Sequence, residues 1–490
     1  MEIGIIGSGI GGLATAIRLA VQGHTVTVYE KNNRPGGKIA ELHFKDFRFD
    51  TGPSLFTLPD LVKELFDLCG EDIHKWLPYE SLSTNCKYFF PDGTVFNFYQ
   101  DKKLLANEVD TKTEDDYESL RKRLNRSKEV YELSAPVFLF RPFATKLSDF
   151  NTPPYKMIAT KLYKLDFMRT MNRANKKDFQ DKNLVQLFNR YATYNGSNPY
   201  KAPATLNMIA HLENNIGAFF PVKGMYSIVD SLYRLAQQKG VQFYFNTPVE
   251  KIEIEDKEAV GVIINGDLFT HDIIISDVDV RYLANNLIDN YPLKKRLNRS
   301  EPSSSALIFY WGINKTFDEL ELHNILFSGD YKTEFTQIFK EKTVYQDPTI
   351  YIFISSKIVK GDAPSGCENW FVMINVPANK QLYTKEFISN VRKNVINKIN
   401  RYLNTDIEKH IVGEEVATPL YIESETNSMN GALYGVSSNS MFSAFLRHPN
   451  ALKKINNLYF VGGSVHPGGG IPLCLASAKI VDDEIKAAYE

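Results

Sequence analysis

Within residues 1–30 the spacing of apolar positions changes twice. Residues 1–7 form an apolar, β-branched run of the kind a buried strand needs. Leu13, Ala16, Ile17 and Ala20 then recur at helical spacing up to Gly23, and residues 25–29 alternate as a second strand would. The stretch therefore reads as strand, glycine turn, helix, strand. A second helix–strand pair is predicted over 225–245: Ile228, Leu232 and Leu235 share one face, Gly240 ends the helix, and 241–245 extends. A hairpin over 249–264 and a strand at 273–276 come next. Toward the end of the chain, residues 458–461 make a short buried strand that runs into glycines, and a last helix starts near Ile471.

The stretches between these pieces differ in character. Residues 80–215 are rich in Lys, Arg, Phe and Tyr, with helical runs broken at Pro136, Pro142, Pro153 and Pro154. Residues 290–410 carry strand-like runs at 306–311 and 349–354 and an amphipathic helix over 385–403. The pattern predicts an α/β protein. A Rossmann-type nucleotide domain is assembled from three segments (1–80, 215–290 and 411–490), and an α+β substrate domain is inserted as 81–214 and 291–410. A chain of 490 residues has room for both.

The first turn carries chemistry. Gly7-Ser8-Gly9-Ile10-Gly11-Gly12 fits GxGxxG through Gly7, Gly9 and Gly12, between a strand and a helix. Gly7 permits the tight turn, Gly9 lets a pyrophosphate approach the backbone, and Gly12 lets helix and strand pack closely. Free N–H groups and the positive end of the helix dipole favour phosphate there. Glu30 ends the second strand at the distance expected of an acid that accepts from a ribose diol. Gly36 and Gly37 would let the backbone run beside a cofactor arm, and Lys38 can neutralise its oxygens. At the far end, Gly462 and Gly463 allow close approach. Pro472 suits the first turn of a helix whose N-terminus would face an electron-rich group.

Composition narrows the partners. With 57 basic and 58 acidic residues the formal charge is −1, which argues against nucleic acid as a partner. The four cysteines form no CxxC pair and no metal-like spacing with histidine, so no metal site and a reducing compartment are expected. Residues 1–7 enter a strand with no basic, then apolar, leader, and no apolar run approaches the roughly 20 residues of a spanning helix. Scattered histidines such as His211, His323, His410 and His448 read as surface or core residues, and no catalytic residue is assigned.

Taken together, the run Glu30 to Lys38, the stretch Phe49-Asp50-Thr51-Gly52-Pro53 and the C-terminal Gly462-Gly463-Ser464 with Pro467-Gly468-Gly469-Gly470-Ile471-Pro472 resemble the GG-doublet flavoproteins, and within them the bacterial-type carotenoid (phytoene) desaturases. The likeness extends to residues 445–450, 431–435 and 219–225 and is sparse from 90 to 185. It implies FAD as cofactor, with contacts from Ile10, Gly11, Lys31, Gly52, Pro53, Ser54, Val249, Gly463, Ser464, Gly470 and Ile471 besides the residues above. Many related flavoenzymes carry Glu or Asp where Ser464 stands. The resemblance implies a desaturase that moves hydride from a carotenoid to flavin N5 and passes electrons to oxygen or a quinone. It would lie peripherally on the cytoplasmic face of a membrane, with residues 135–143 read either as an interfacial segment or as a core helix. His466 flanks the flavin loop. The overall likeness is nearest the hydroxycarotenoid 3,4-desaturase branch, beside phytoene desaturase and carotenoid isomerase, with flavin amine oxidase and a non-enzymatic isoprenoid carrier farther off.

Overall fold

The computed structural model describes residues 1–142, 152–440, 443–444 and 447–489. The pattern of residues 1–30 folds as β1 (Glu2–Ile6), α1 (Ile10–Val21) and β2 (Thr25–Tyr29). Later segments add α2 (Tyr226–Gln238), β3 (Gln242–Tyr244), β4 (Ile273–Ser276), β5 (Ile455–Phe460) and α3 (Ile471–Tyr489). The five strands pair in parallel in the order β5-β4-β1-β2-β3. Ile3 and Ile5 of β1 lie between Val26 and Val28 of β2 on one side and Ile273 and Ile275 of β4 on the other. Helices cover both faces of such a sheet, so its strands read as unbroken apolar runs. Alternation along β4 divides the two cores: Ile273 and Ile275 pack with α1, α2 and α3, whereas Ile274 packs with the helix Val280–Asn286. The hairpin Lys251–Glu255 and Glu258–Ile264 extends the sheet beyond β5.

A second sheet of seven strands runs in the order Ile411–Ala417, Ser305–Ile313, Glu368–Val376, Ile350–Phe353, His323–Leu326, Thr84–Phe89, Val95–Tyr99. Every residue of Ser305–Ile313 is buried because both its faces are covered. Leu307, Phe309 and Trp311 pack on the helix Lys385–Leu403, while Ala306, Ile308 and Tyr310 face the nucleotide sheet across a cavity. The strand Ile411–Ala417 pairs with Ser305–Ile313, so the chain returns to the first sheet only after it, and not at 411. It is an edge strand with Glu414 and Glu415 exposed, and that polarity hides its membership of the sheet.

Helices fill much of 102–195. Pro136 does not break one: it lies inside Tyr117–Phe138, close to its end. Phe143 of the expected interfacial segment, and Phe445 and Leu446 of the upstream motif, lie outside the described residues. Among the described residues no helix is long and apolar enough to cross a membrane, and no group of three His, Cys, Asp or Glu is placed to hold a metal ion.

Candidate active site

The strand order turns back at β1 and β4, and the loops beyond the carboxyl ends of these strands border one cavity of about 600 Å³. Gly7, Gly9, Ile10 and Gly11 of the first loop line it, with Glu30 and Lys31 after β2. Gly36, Gly37 and Lys38, Gly52, Pro53 and Ser54, and Val249 add to the wall. Gly463, Ser464, Gly470, Ile471 and Pro472 close it from the C-terminal side. Gly12 alone of the predicted residues stands behind the loop. A Cβ there would lie 2.2 Å from the Gly7 carbonyl oxygen, so its part is to let α1 pack on the turn.

The polar residues are held in detail. The buried Glu30 carboxylate accepts the Ser8 N–H at 2.9 Å, the Ser8 hydroxyl at 2.7 Å and the Asn32 N–H at 2.9 Å. Lys38 is half-buried and donates to the Leu433 carbonyl at 2.6 Å. Burial lowers its pKa, opposed by Asp279, Cys474 and Asp277. Lys31 is turned outward, with its ammonium on the Ser424 carbonyl and on Asn427 at 3.2 Å. The Ser464 hydroxyl accepts the Val280 N–H at 2.9 Å and so caps a helix.

Sequence reasoning missed Asp277. It follows β4 directly, at the edge where ligands of parallel sheets bind, and that position was the available signal. Its carboxylate accepts the Gly12 N–H, and burial pushes it up to about 7, with Glu30 adding to the rise and Lys38 opposing it.

The residues present fit FAD. A Cβ on Gly9 would meet Asp277 at 2.4 Å, and one on Gly463 would lie 3.2 Å from the Gly469 Cα, so packing bars side chains from these turns and leaves bare backbone lining the cavity. Gly36, at φ +114, adopts a conformation that L side chains rarely reach. Glu30 uses three of its roughly four lone-pair sites, which leaves one for a ribose hydroxyl. A diphosphate would sit at the N-terminus of α1.

Beyond the glycine turns the same cavity becomes apolar. Ile308, Tyr310, Ile325, Phe371 and Met373 line it from the second sheet, and Leu206, Ile209 and Leu212 from the helical insertion. Polar side chains interrupt this wall, Arg190 and Glu213 among them. Arg190 donates to Glu213 at 2.9 Å and to the Tyr88 hydroxyl at 2.8 Å, with the rings of Tyr88, Tyr191 and Tyr194 at 5.4, 4.8 and 5.3 Å. His323 and Tyr351 stand on the sheet face, and the Tyr351 hydroxyl bonds Ser54 at 2.6 Å. His466 also lines the cavity and bonds the Arg141 carbonyl at 2.9 Å.

Residues 10–485 match the model of the flavin-containing amine oxidoreductases. The chain belongs to that family. It is an FAD-dependent oxidoreductase. A 1-hydroxycarotenoid 3,4-desaturase of Flavobacterium sp. is 46% identical over 98% of this chain and 98% of its own. A 4,4'-diapolycopene oxygenase of Methylomonas sp. is 32% identical over 99% and 97%. Among solved structures, putrescine oxidase bound to putrescine superposes with a TM-score of 0.65 at 14% identity, covering 99% of both chains, which speaks for the fold alone.

Proposed function

We propose that this protein is an FAD-dependent desaturase of carotenoids, acting on a 1-hydroxylated substrate to form the 3,4 double bond. The observation that carries the reading is the continuity of one cavity. It runs from the glycine turns to an apolar sheet face, so a long hydrocarbon can lie against a cofactor within one enclosure. The identity to the desaturase relative supports the same substrate class.

In this reading FAD is held by the predicted residues that line the cavity, with Gly12 packing behind the loop and Lys31 turned outward. Glu30 takes the ribose, the loop after β1 takes the diphosphate, and Gly470 to Pro472 meet the ring. Bound there, FAD supplies the hydride acceptor that no side chain provides. The chain positions the polyene and keeps water out: Ile308, Tyr310, Phe371 and Met373 form a dry face along which the allylic carbons are aligned. The second hydrogen leaves as a proton, and the electron pair passes on to oxygen or a quinone.

The substrate lives in a bilayer, and we place the enzyme peripherally on the cytoplasmic face of a membrane. Tyr163 and Met168 are 77% and 87% exposed, beside the exposed Leu162 and Lys161, a mixture suited to an interface. The cavity wall reaches Phe138, Leu139 and Phe140 of the same insertion.

The test is FAD-loaded protein with carotenoids in liposomes, the products resolved by chromatography with absorption spectra. A red-shifted product from 1-hydroxylated carotenoids, and none from phytoene, is the expected result. Conversion of phytoene would make it an early-pathway desaturase, and no change in any carotenoid would end the reading.

A further inference from the structure

Two side chains in the cavity wall each carry an unsatisfied atom. Arg190 spends one terminal nitrogen on Glu213 and Tyr88 and the other on Tyr194, at 3.4 Å, while its Nε is buried without a partner. His323 is 3% exposed, stacks between Tyr351 and Phe353, and bonds the Tyr351 hydroxyl through Nδ1 at 2.8 Å. Its Nε2 is buried without a partner as well. Both residues line the cavity, and alternation along His323–Leu326 turns His323 and Ile325 to the same side. A buried polar atom left unpaired costs about 1–3 kcal/mol, so two of them in one apolar wall mark a place where a ligand atom belongs.

We infer that Arg190 and His323 form a binding site for the hydroxyl group of the substrate. The inference rests on the desaturase reading above and names what selects the substrate. A hydroxyl both donates and accepts. It takes the Arg190 Nε–H and gives its own proton to His323 Nε2, with the ring proton on Nδ1 passed to Tyr351 and that of Tyr351 to Ser54. Burial, with the charge of Arg190 adding to it, lowers the His323 pKa to about 3, so the ring stays a neutral acceptor. An ammonium is repelled by Arg190 and a carboxylate by Glu213, which leaves a neutral oxygen as the fitting chemistry. The place agrees with the 3,4 bond: C1 is two bonds from C3, so its hydroxyl has to sit close to the reacting carbons. His323 is two hydrogen bonds from Ser54, in the turn assigned to the cofactor.

The experiment measures affinity of the FAD-loaded enzyme for a 1-hydroxylated acyclic carotenoid and for the same carotenoid without the hydroxyl, by quenching of protein fluorescence. Wild type is expected to prefer the hydroxylated ligand by about 10- to 100-fold. His323→Phe keeps the stacking and the flavin content and brings the preference to within about threefold, while His323→Gln, which keeps an acceptor, restores most of it. Equal binding of the two ligands by wild type, or an unchanged preference in His323→Phe, overturns the inference. Turnover in the same samples separates the two claims. Preference without desaturation removes the desaturase reading and keeps the hydroxyl site, whereas desaturation without preference removes the site alone.

Discussion

Asp277 accepts the backbone N–H of Gly12 at 2.9 Å, so a carboxyl group rests on the first turn of α1, beside the loop that would hold a diphosphate. Burial pushes its pKa up to about 7, the Glu30 charge adds to this, and the Gly12 N–H and Lys38 oppose it. A diphosphate brings more negative charge to the same loop, so Asp277 takes up a proton as FAD binds. FAD affinity is then level below about pH 7 and falls toward tenfold per unit above it, and Asp277→Asn binds FAD without that slope. Fluorescence titration of FAD between about pH 6 and 9 measures both. An identical slope in the two proteins would refute the assignment.

The same residue sets a stability profile in the FAD-free protein. The folded pKa of about 7 lies above the ordinary 3.8, so the folded state holds more protons between these values. Stability is therefore lost as pH rises through that window, by up to about 4 kcal/mol. Denaturant unfolding at pH 4 and pH 8 should show Asp277→Asn gaining most at the higher pH. Equal gain at both would mean that the carboxyl is charged throughout.

Two glycines of α1 and its exit should respond differently to alanine. At Gly11 a Cβ would meet the Asp277 carboxyl at 2.7 Å and the Gly462 backbone nitrogen at 2.8 Å, so Gly11→Ala is expected to be isolated without flavin. At Gly23, with φ +85, a Cβ meets nothing within 4 Å. Gly23→Ala then carries only backbone strain, about 1 kcal/mol, and keeps its flavin. Flavin absorbance of the purified proteins decides between them.

Glu30→Gln keeps the shape of the side chain and removes its charge. The amide oxygen retains one set of Ser8 contacts, while the Asn32 N–H faces an NH₂ group. Loss of a charge-assisted contact of about 1.5–3 kcal/mol corresponds to roughly 10- to 150-fold weaker FAD binding. Calorimetric titration checks this, and an unchanged affinity would move the ribose elsewhere.

Arg48 joins three parts of the fold. It bonds Asp50 at 2.7 Å and Asp362 at 3.1 Å, and Asp50 in turn accepts the Met225 and Tyr226 N–H groups at the start of α2. Arg48→Met leaves two buried carboxylates without their cation and should cost about 3–5 kcal/mol. Burial already raises the pKa of both acids, Arg48 being among the groups that oppose it, so the loss should be smaller at pH 5 than at pH 8. Unfolding at the two pH values reads the difference.

The nucleotide half was legible because its signals are local. Gly7 and Gly12 answer backbone demands within a few residues, and β4 is an unbroken buried run that reads directly as a strand. The substrate half was not, because its signals are spread along the chain. His323 looked like an ordinary core or surface histidine, since its partner Tyr351 lies 28 residues away and meets it only through the second sheet. Arg190 and Glu213 likewise sit on separate helical turns whose pairing no spacing rule announces.

The position of β5 bears on how the protein is made. It pairs with β4 through Leu458, Tyr459 and Phe460, yet it is the last strand of the parallel sheet to leave the ribosome. Until it arrives, the nascent chain carries β4 with an open, largely apolar edge, the kind of edge that pairs with other chains. Synthesis that stops short of residue 455 therefore yields aggregate in place of a smaller enzyme, and recombinant yield depends on holding that edge apart until translation ends.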